Sequence, residues 1–255
     1  MTIFNALLAI LACFSLPTDA LQHNAVYKSI NSAGPECRTI LTRQSPLDCR
    51  LRCLSINTGD WDDCSGVPRT YDRFYVQDPT DVGYQQRTQQ CIANVSVSIL
   101  RGDICAFSAR STECYDANYY DIVLDQLVFV PSKSLQYQQT IRDCAGMLGF
   151  TEHVISDVLR DDCFALQETR CLLRCLLVRE GLYGDQCGAQ IDRLYVVTGG
   201  FDQLFRRDVK KCTGRLRAMG LDKCTEAYRV ASECFPEDKA ILPIFLKNKA
   251  ILQEI

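Results

Sequence analysis

Apolar residues recur at helical spacing along much of this chain, and the clearest run lies in its last quarter. Phe205, Val209, Cys212, Leu216 and Met219 follow at steps of four, three, four and three, which marks one face of a helix. The opposite face carries Arg206, Arg207, Lys210, Lys211, Arg215 and Arg217, and Gly220 stops the helix. Leu221, Cys224, Tyr228, Ala231 and Phe235 form a second stripe, ended by Pro236. From Ala165 to Val178 the chain is apolar nearly all round, which predicts a central, buried helix. Tyr137 to Leu148 and His153 to Leu159 supply two more, and nothing here requires a sheet.

The cysteines show that this pattern occurs twice. Cys49-x3-Cys53, Cys91, Cys105 and Cys114 repeat as Cys171-x3-Cys175, Cys212, Cys224 and Cys234. A further cysteine flanks each close pair on both sides, Cys37 and Cys64 in the first copy and Cys163 and Cys187 in the second. Matching cysteines lie 119 to 126 residues apart, and Tyr71-Asp-Arg-Phe-Tyr-Val76 keeps register with Ile191-Asp-Arg-Leu-Tyr-Val196. The chain reads as a tandem duplication. Register then overrules local period at Val95-Ser-Val-Ser-Ile99, which alternates like a strand but aligns with the basic helix of the second copy. We expect helix there.

Composition bounds the setting. Phe4 to Leu16 is apolar and is followed by Pro17 and the small-residue site Thr18-Asp-Ala20, the pattern of a secretory signal peptide over residues 1–20. The run is shorter than the roughly 20 residues a membrane span needs, and no later stretch is long enough, so no stable membrane insertion is expected. Cleavage removes Cys13 and leaves an odd number of cysteines in an oxidising compartment, where they read as a disulfide framework with one thiol over. Neither His23 nor His153 sits at ligand spacing from a Cys-x3-Cys pair, so no metal or cofactor is expected. A formal net charge of -3 argues against a nucleic-acid partner. The expected organisation is a first domain over 21–130 and a second over 131–255, joined near Pro131-Ser-Lys-Ser134.

In the second copy, Cys144, 26 residues, Cys171, 3 residues, Cys175, 36 residues, Cys212, 11 residues, Cys224, 9 residues and Cys234 resemble the six-cysteine signature of insect odorant-binding proteins. The resemblance covers nearly all of the mature chain, once per copy, so the whole is similar to an atypical two-domain member. It implies an all-α fold of about six helices per domain around an apolar cavity, with the first cysteine paired to the third, second to fifth and fourth to sixth. Carried over, the bridges are Cys144–Cys175, Cys171–Cys224 and Cys212–Cys234 in the second copy, and Cys49–Cys105 and Cys91–Cys114 in the first. Repetition in both copies suggests the extra pairs Cys163–Cys187 and Cys37–Cys64. Subtracting the offset of 122 from Cys144 lands on Gln22, so the first copy is expected to lack its first cysteine and most of its first helix, leaving Cys53 a free thiol.

The resemblance implies a non-catalytic carrier of small hydrophobic ligands such as odorants, pheromones or lipid-like molecules, with an olfactory receptor as a further partner. Salivary relatives suggest an alternative, a scavenger of small host mediators, and the truncated first copy suggests another, an interaction module without ligand. No phospholipase-like His-Asp pair, calcium loop or Gly-x-Ser-x-Gly elbow is present, so no enzyme is expected. Candidate wall residues are Val158, Leu159, Leu172, Leu176, Phe205, Val209, Leu216, Met219 and Tyr228, the last with a phenol that seeks a partner. The same periodicity serves plain core. The basic face from Arg206 to Arg217 could favour carboxylate-bearing lipids or a membrane surface, or be a solvated face. Asn94-Val-Ser96 is a glycosylation sequon. The apolar tail, Ala240 to Leu246 and Ala250 to Leu252, must pack somewhere: over the cavity mouth with Ile244 and Phe245 as a lid, or in the groove left in the first copy.

Overall fold

The structure, a computed structural model, describes residues 23–63, 70–99, 102–198, 208–235 and 241–254, apart from the side chains of Ile241 and Ile244. The expected leader over 1–20, Cys64, Phe205, Arg206, Arg207 and the Ile244 side chain lie outside the described residues. The chain divides into two compact units, residues 26–130 and residues 131–255 joined by the N-terminal stretch to Ala25. Both are helical, with short two-stranded ribbons that the pattern of apolar positions does not reveal.

In the unit over 26–130, strand β1 (Val26–Lys28) pairs antiparallel with β4 (Val128–Val130), so the unit's two ends are tied together. Between them lie α1 (Ile30–Ile40), α2 (Leu47–Thr58), a 3-10 turn (Tyr71–Phe74), β2 (Tyr75–Val76), α3 (Tyr84–Ser98), α4 (Ile104–Asp116) and β3 (Asp121–Ile122). Helix α1 starts because Ser29 and Ser32 cap it reciprocally. Helix α2 stops at Gly59, whose φ of 80° is the left-handed conformation glycine adopts without penalty. Val95 to Ser98 form the last turn of α3, so register was the better guide than alternation.

The other unit runs α5 (Ser134–Met147), α6 (Glu152–Val158), a 3-10 turn (Cys163–Ala165), α7 (Gln167–Arg179), the β5–β6 hairpin (Tyr183–Gly184 and Gly188–Ala189) and α8 (Ile191–Val197). After them come α9 (Val209–Ala218), α10 (Lys223–Glu233), α11 (Ile241–Asn248) and a closing 3-10 turn (Lys249–Glu254). Helix α7 is the buried centre, with Leu172, Leu173, Leu176 and Leu177 all at most 2% exposed. No helix among the described residues is long and apolar enough to cross a membrane.

Among the described residues, three bridges staple each unit in the same order. In the second they are Cys144–Cys175, Cys171–Cys224 and Cys212–Cys234, with Cα separations of 5.9, 4.6 and 5.6 Å. In the first they are Cys37–Cys53, Cys49–Cys105 and Cys91–Cys114, at 5.9, 4.6 and 5.7 Å. This corrects four expectations. Cys53 is not a free thiol and Cys37 is not paired with Cys64, because α1 is present and its buried face, Ala33 and Cys37, packs on α2 opposite Cys53. Cys37 is therefore the counterpart of Cys144 rather than of Cys163. Eleven residues separate Cys37 from Cys49, against 26 between Cys144 and Cys171, so the first copy lacks the counterpart of α6 and its following turn, not its first helix. Nor does Cys163 pair with Cys187. Cys163 lies in that unmatched turn as a buried free thiol, while Cys187, on the β5–β6 hairpin, is disulfide-bonded elsewhere.

Candidate functional site

Most of the sequence-nominated wall residues lie in the buried interior of the second unit, on or at the ends of α6, α7, α9 and α10. Val158, Leu172, Leu176 and Leu216 are fully buried and Val209 is 3% exposed, while Leu159 and Tyr228 are half-buried. The stripe of α9 faces inward because Cys212 is bridged to Cys234 and Cys171 on α7 to Cys224 on α10, which holds these helices in fixed rotation. Met219 does not belong to the wall. Helix α9 ends at Ala218, Gly220 turns the chain with a φ of 64°, and Met219 is left 53% exposed.

Three aromatic rings meet in the same unit. Phe164, in the turn before α7, stacks on Tyr228 with centroids 4.9 Å apart and planes 18° from parallel, and it also meets Phe245 at 5.4 Å. Phe245 is fully buried although it belongs to the cysteine-free tail. Among the described residues the Tyr228 hydroxyl has no hydrogen-bond partner. Phe164 was not nominated from sequence, since it stands in a turn outside any periodic stripe. Its signal was the apolar residue beside Cys163 in the stretch with no counterpart in the first copy.

The tail docks on its own unit. Leu252 is buried, the Arg142 guanidinium pairs with Glu254, and Lys249, only 9% exposed, inserts its amine beneath α6. There Nζ donates to the carbonyl of Val158 at 3.2 Å, at the C-terminal end of that helix, and to that of Arg160 at 2.6 Å, two residues beyond it, and lies 3.6 Å from Cys163 Sγ. The alternative, filling a groove left by a missing first helix, loses its premise because α1 is present.

One buried carboxylate of the unit is committed to the framework. Glu226 on α10 is 2% exposed and accepts from Tyr183 Oη at 2.8 Å, Lys223 Nζ at 2.8 Å and Arg217 Nε at 3.1 Å. Burial works to raise its pKa, but the hydrogen bonds from Lys223, Tyr183 and Arg217 outweigh it and hold the carboxyl below its usual value. Arg217 also donates to the carbonyls of Gly184 and Asp185, which ties the β5–β6 hairpin to α9. Of the expected basic face, Arg217 is thus a strut, whereas Lys210, Lys211 and Arg215 are exposed. In the first unit Asn94 is exposed on α3.

The first unit has a different interior. Ser55, Thr58, Asp60, Thr70, Ser108, Ser111 and Thr112 are all buried there, and Asp60 is paired with Arg73 at 2.6 Å. Aligned on the cysteines, Ser108, Ser111 and Thr112 stand where α10 has Ala227, Val230 and Ala231, all buried. Its rings gather instead in a tyrosine cluster, Tyr71, Tyr75, Tyr84, Tyr115 and Tyr119, with neighbouring centroids 4.9–5.7 Å apart.

Comparison with known proteins matches the chain to the PBP/GOBP family over residues 128–238. That span runs from the end of the first unit to just beyond the last bridge of the second. No curated protein and no solved structure matches the chain significantly.

Proposed function

Since the second unit of this chain belongs to the PBP/GOBP family of insect odorant-binding proteins, a family of non-catalytic small-ligand carriers, we propose that it takes up a small hydrophobic ligand among α6, α7, α9 and α10. The ligand is an odorant, a pheromone or another lipid-like molecule, and its apolar surface supplies affinity at roughly 25 cal/mol per Å² removed from water. The observation that carries this reading is the pairing of an apolar interior with an incompletely satisfied aromatic edge. Val158, Leu172, Leu176 and Leu216 offer no polar group, while Tyr228 offers a single free hydroxyl beside Phe164 and Phe245. Such a site favours a long apolar body with one polar end, as in a long-chain alcohol or fatty acid.

The tail acts as the lid of this site, with Phe245 its inner face. The protein is secreted, since the leader pattern and the disulfide framework both require an oxidising route out of the cell. It carries out no chemistry on its guest. The first unit, with hydroxyls where the second has aliphatic groups, contributes no equivalent apolar site.

Displacement of an apolar fluorescent probe from the mature chain tests this reading. Long-chain alcohols and fatty acids should compete at micromolar concentration, and Tyr228→Ala should weaken them. Failure of every apolar competitor, with the protein folded, would leave an interaction module without ligand as the better account.

A further inference from the structure

Cys163 is a buried thiol in a chain whose other described cysteines are all bridged, and it lies in the only stretch of the second copy that the first copy lacks between its opening two cysteines. A thiol alone would mean little. What the fold adds is a buried amine brought to it from 86 residues further on: Lys249 Nζ stands 3.6 Å from Cys163 Sγ and is held there by the Val158 and Arg160 carbonyls. Lysine amines are seldom buried, and this one has carbonyl and sulfur partners but no carboxylate among those contacts. Its three contacts fix its direction, so nitrogen and sulfur are pre-positioned as a reacting pair.

We propose that Cys163 and Lys249 form a latent oxidative crosslink that fastens the tail to its own unit. A peroxide is the oxidant. Its oxygen is transferred to the thiol, giving a sulfenic acid and one water. The Lys249 nitrogen then attacks sulfur and forms an S–N bond as the hydroxyl leaves. The ammonium gives up two protons, one departing with that hydroxyl as a second water and the other passing to solvent. Sulfenic acids are known to condense with nitrogen in this way, and a thiol can reverse the product.

Burial sets the order of events. With the tail docked the thiol is inaccessible, and buried cysteines are inert. Oxidation therefore happens when the tail lifts, and the amine captures the sulfenic acid when the tail returns. The device locks a tail that has been opened in an oxidising medium. It depends on where the tail packs and not on what the second unit binds, so it can fail while the carrier reading stands, and the reverse.

The test is to treat the mature full-length chain with hydrogen peroxide, denature it without reductant, digest it with trypsin and search for linked peptides. The expected product joins the Cys163 and Lys249 peptides, is lighter than their sum by a pair of hydrogens, resists cleavage after Lys249 and separates in dithiothreitol. Lys249→Arg, which keeps a cation on the two carbonyls, should abolish the link and let Cys163 proceed to sulfinic acid. Hydrogen exchange over residues 241–254 should slow in the oxidised wild type alone. A wild-type Cys163 that stays a thiol, or that reaches sulfinic acid without any linked peptide, would overturn the proposal.

Discussion

Phe245→Ala is the most informative single perturbation of the tail. The side chain is fully buried, makes ring contact with Phe164, and belongs to a helix that no disulfide restrains. Truncating a buried phenylalanine costs about 3–5 kcal/mol in a core that cannot relax. Here the cost is borne by docking of residues 241–254 rather than by global unfolding, because the three bridges among the unit's described residues lie before the tail. Taking the lower figure, the open population rises by on the order of a hundredfold, at 1.4 kcal/mol per factor of ten. Cys163 reports that population directly, since its sulfur lies beneath Lys249 and reacts only when the tail has lifted. Iodoacetamide labelling of Cys163, quantified by peptide mass in native buffer, should accelerate by about that factor, while the thermal transition of the bridged framework moves little. An unchanged labelling rate would mean that the tail does not cover the thiol. Equal loss from the whole fold would mean that it is an integral wall and not a lid.

Three further outcomes follow from the framework. Cys37→Ser should cost about 3 kcal/mol for a loop of this length and leave Cys53 as a new alkylatable thiol, whereas a peptide linking Cys37 to Cys64 in the wild type would contradict the observed pairing. Gly188→Ala should destabilise the second unit by about 1–2 kcal/mol from its φ of +79° alone, with more from a Cβ only 2.9 Å from Thr213 Cγ2; Thr213→Ala should relieve the second part and not the first, and a neutral substitution would refute the strained hairpin. Because the Glu226 carboxyl is held low in the fold, its contribution is present above the unfolded value of about 4.3 and lost as pH falls through the lower folded value. Thermal melts of wild type and Glu226→Gln should therefore differ at neutral pH and converge on acidification, and a constant difference would refute the assignment.

How far the chain could be read in advance differs between its parts, for physical reasons. The helices of the second unit were legible because Val209, Cys212 and Leu216 repeat at helical steps, and the inward turn of that face followed from the Cys212–Cys234 bridge. The partner of Cys53 was misread because a constant offset was carried across the interval between the first and second cysteines, where no close pair fixes the count. The offset of 126 between Cys37 and Cys163, the largest of the set, was the available sign that the two are not counterparts. Met219 continued the apolar period past the point where Gly220 had already ended the helix, and periodicity does not register its own termination. Phe164 and Lys249 were beyond the reach of helical periodicity. One stands in a turn and the other reaches its partners only through tertiary packing. The three ribbons escaped because strands of two or three residues are too short to show alternation.

Calorimetric titration of the mature chain with a long-chain alcohol or fatty acid tests the central claim most directly, with the chain lacking residues 240–255 run alongside. The account predicts one site per chain with a micromolar constant, and a loss of at least tenfold, about 1.4 kcal/mol, when the tail is removed. Two equal sites, or undiminished affinity without the tail, would contradict it.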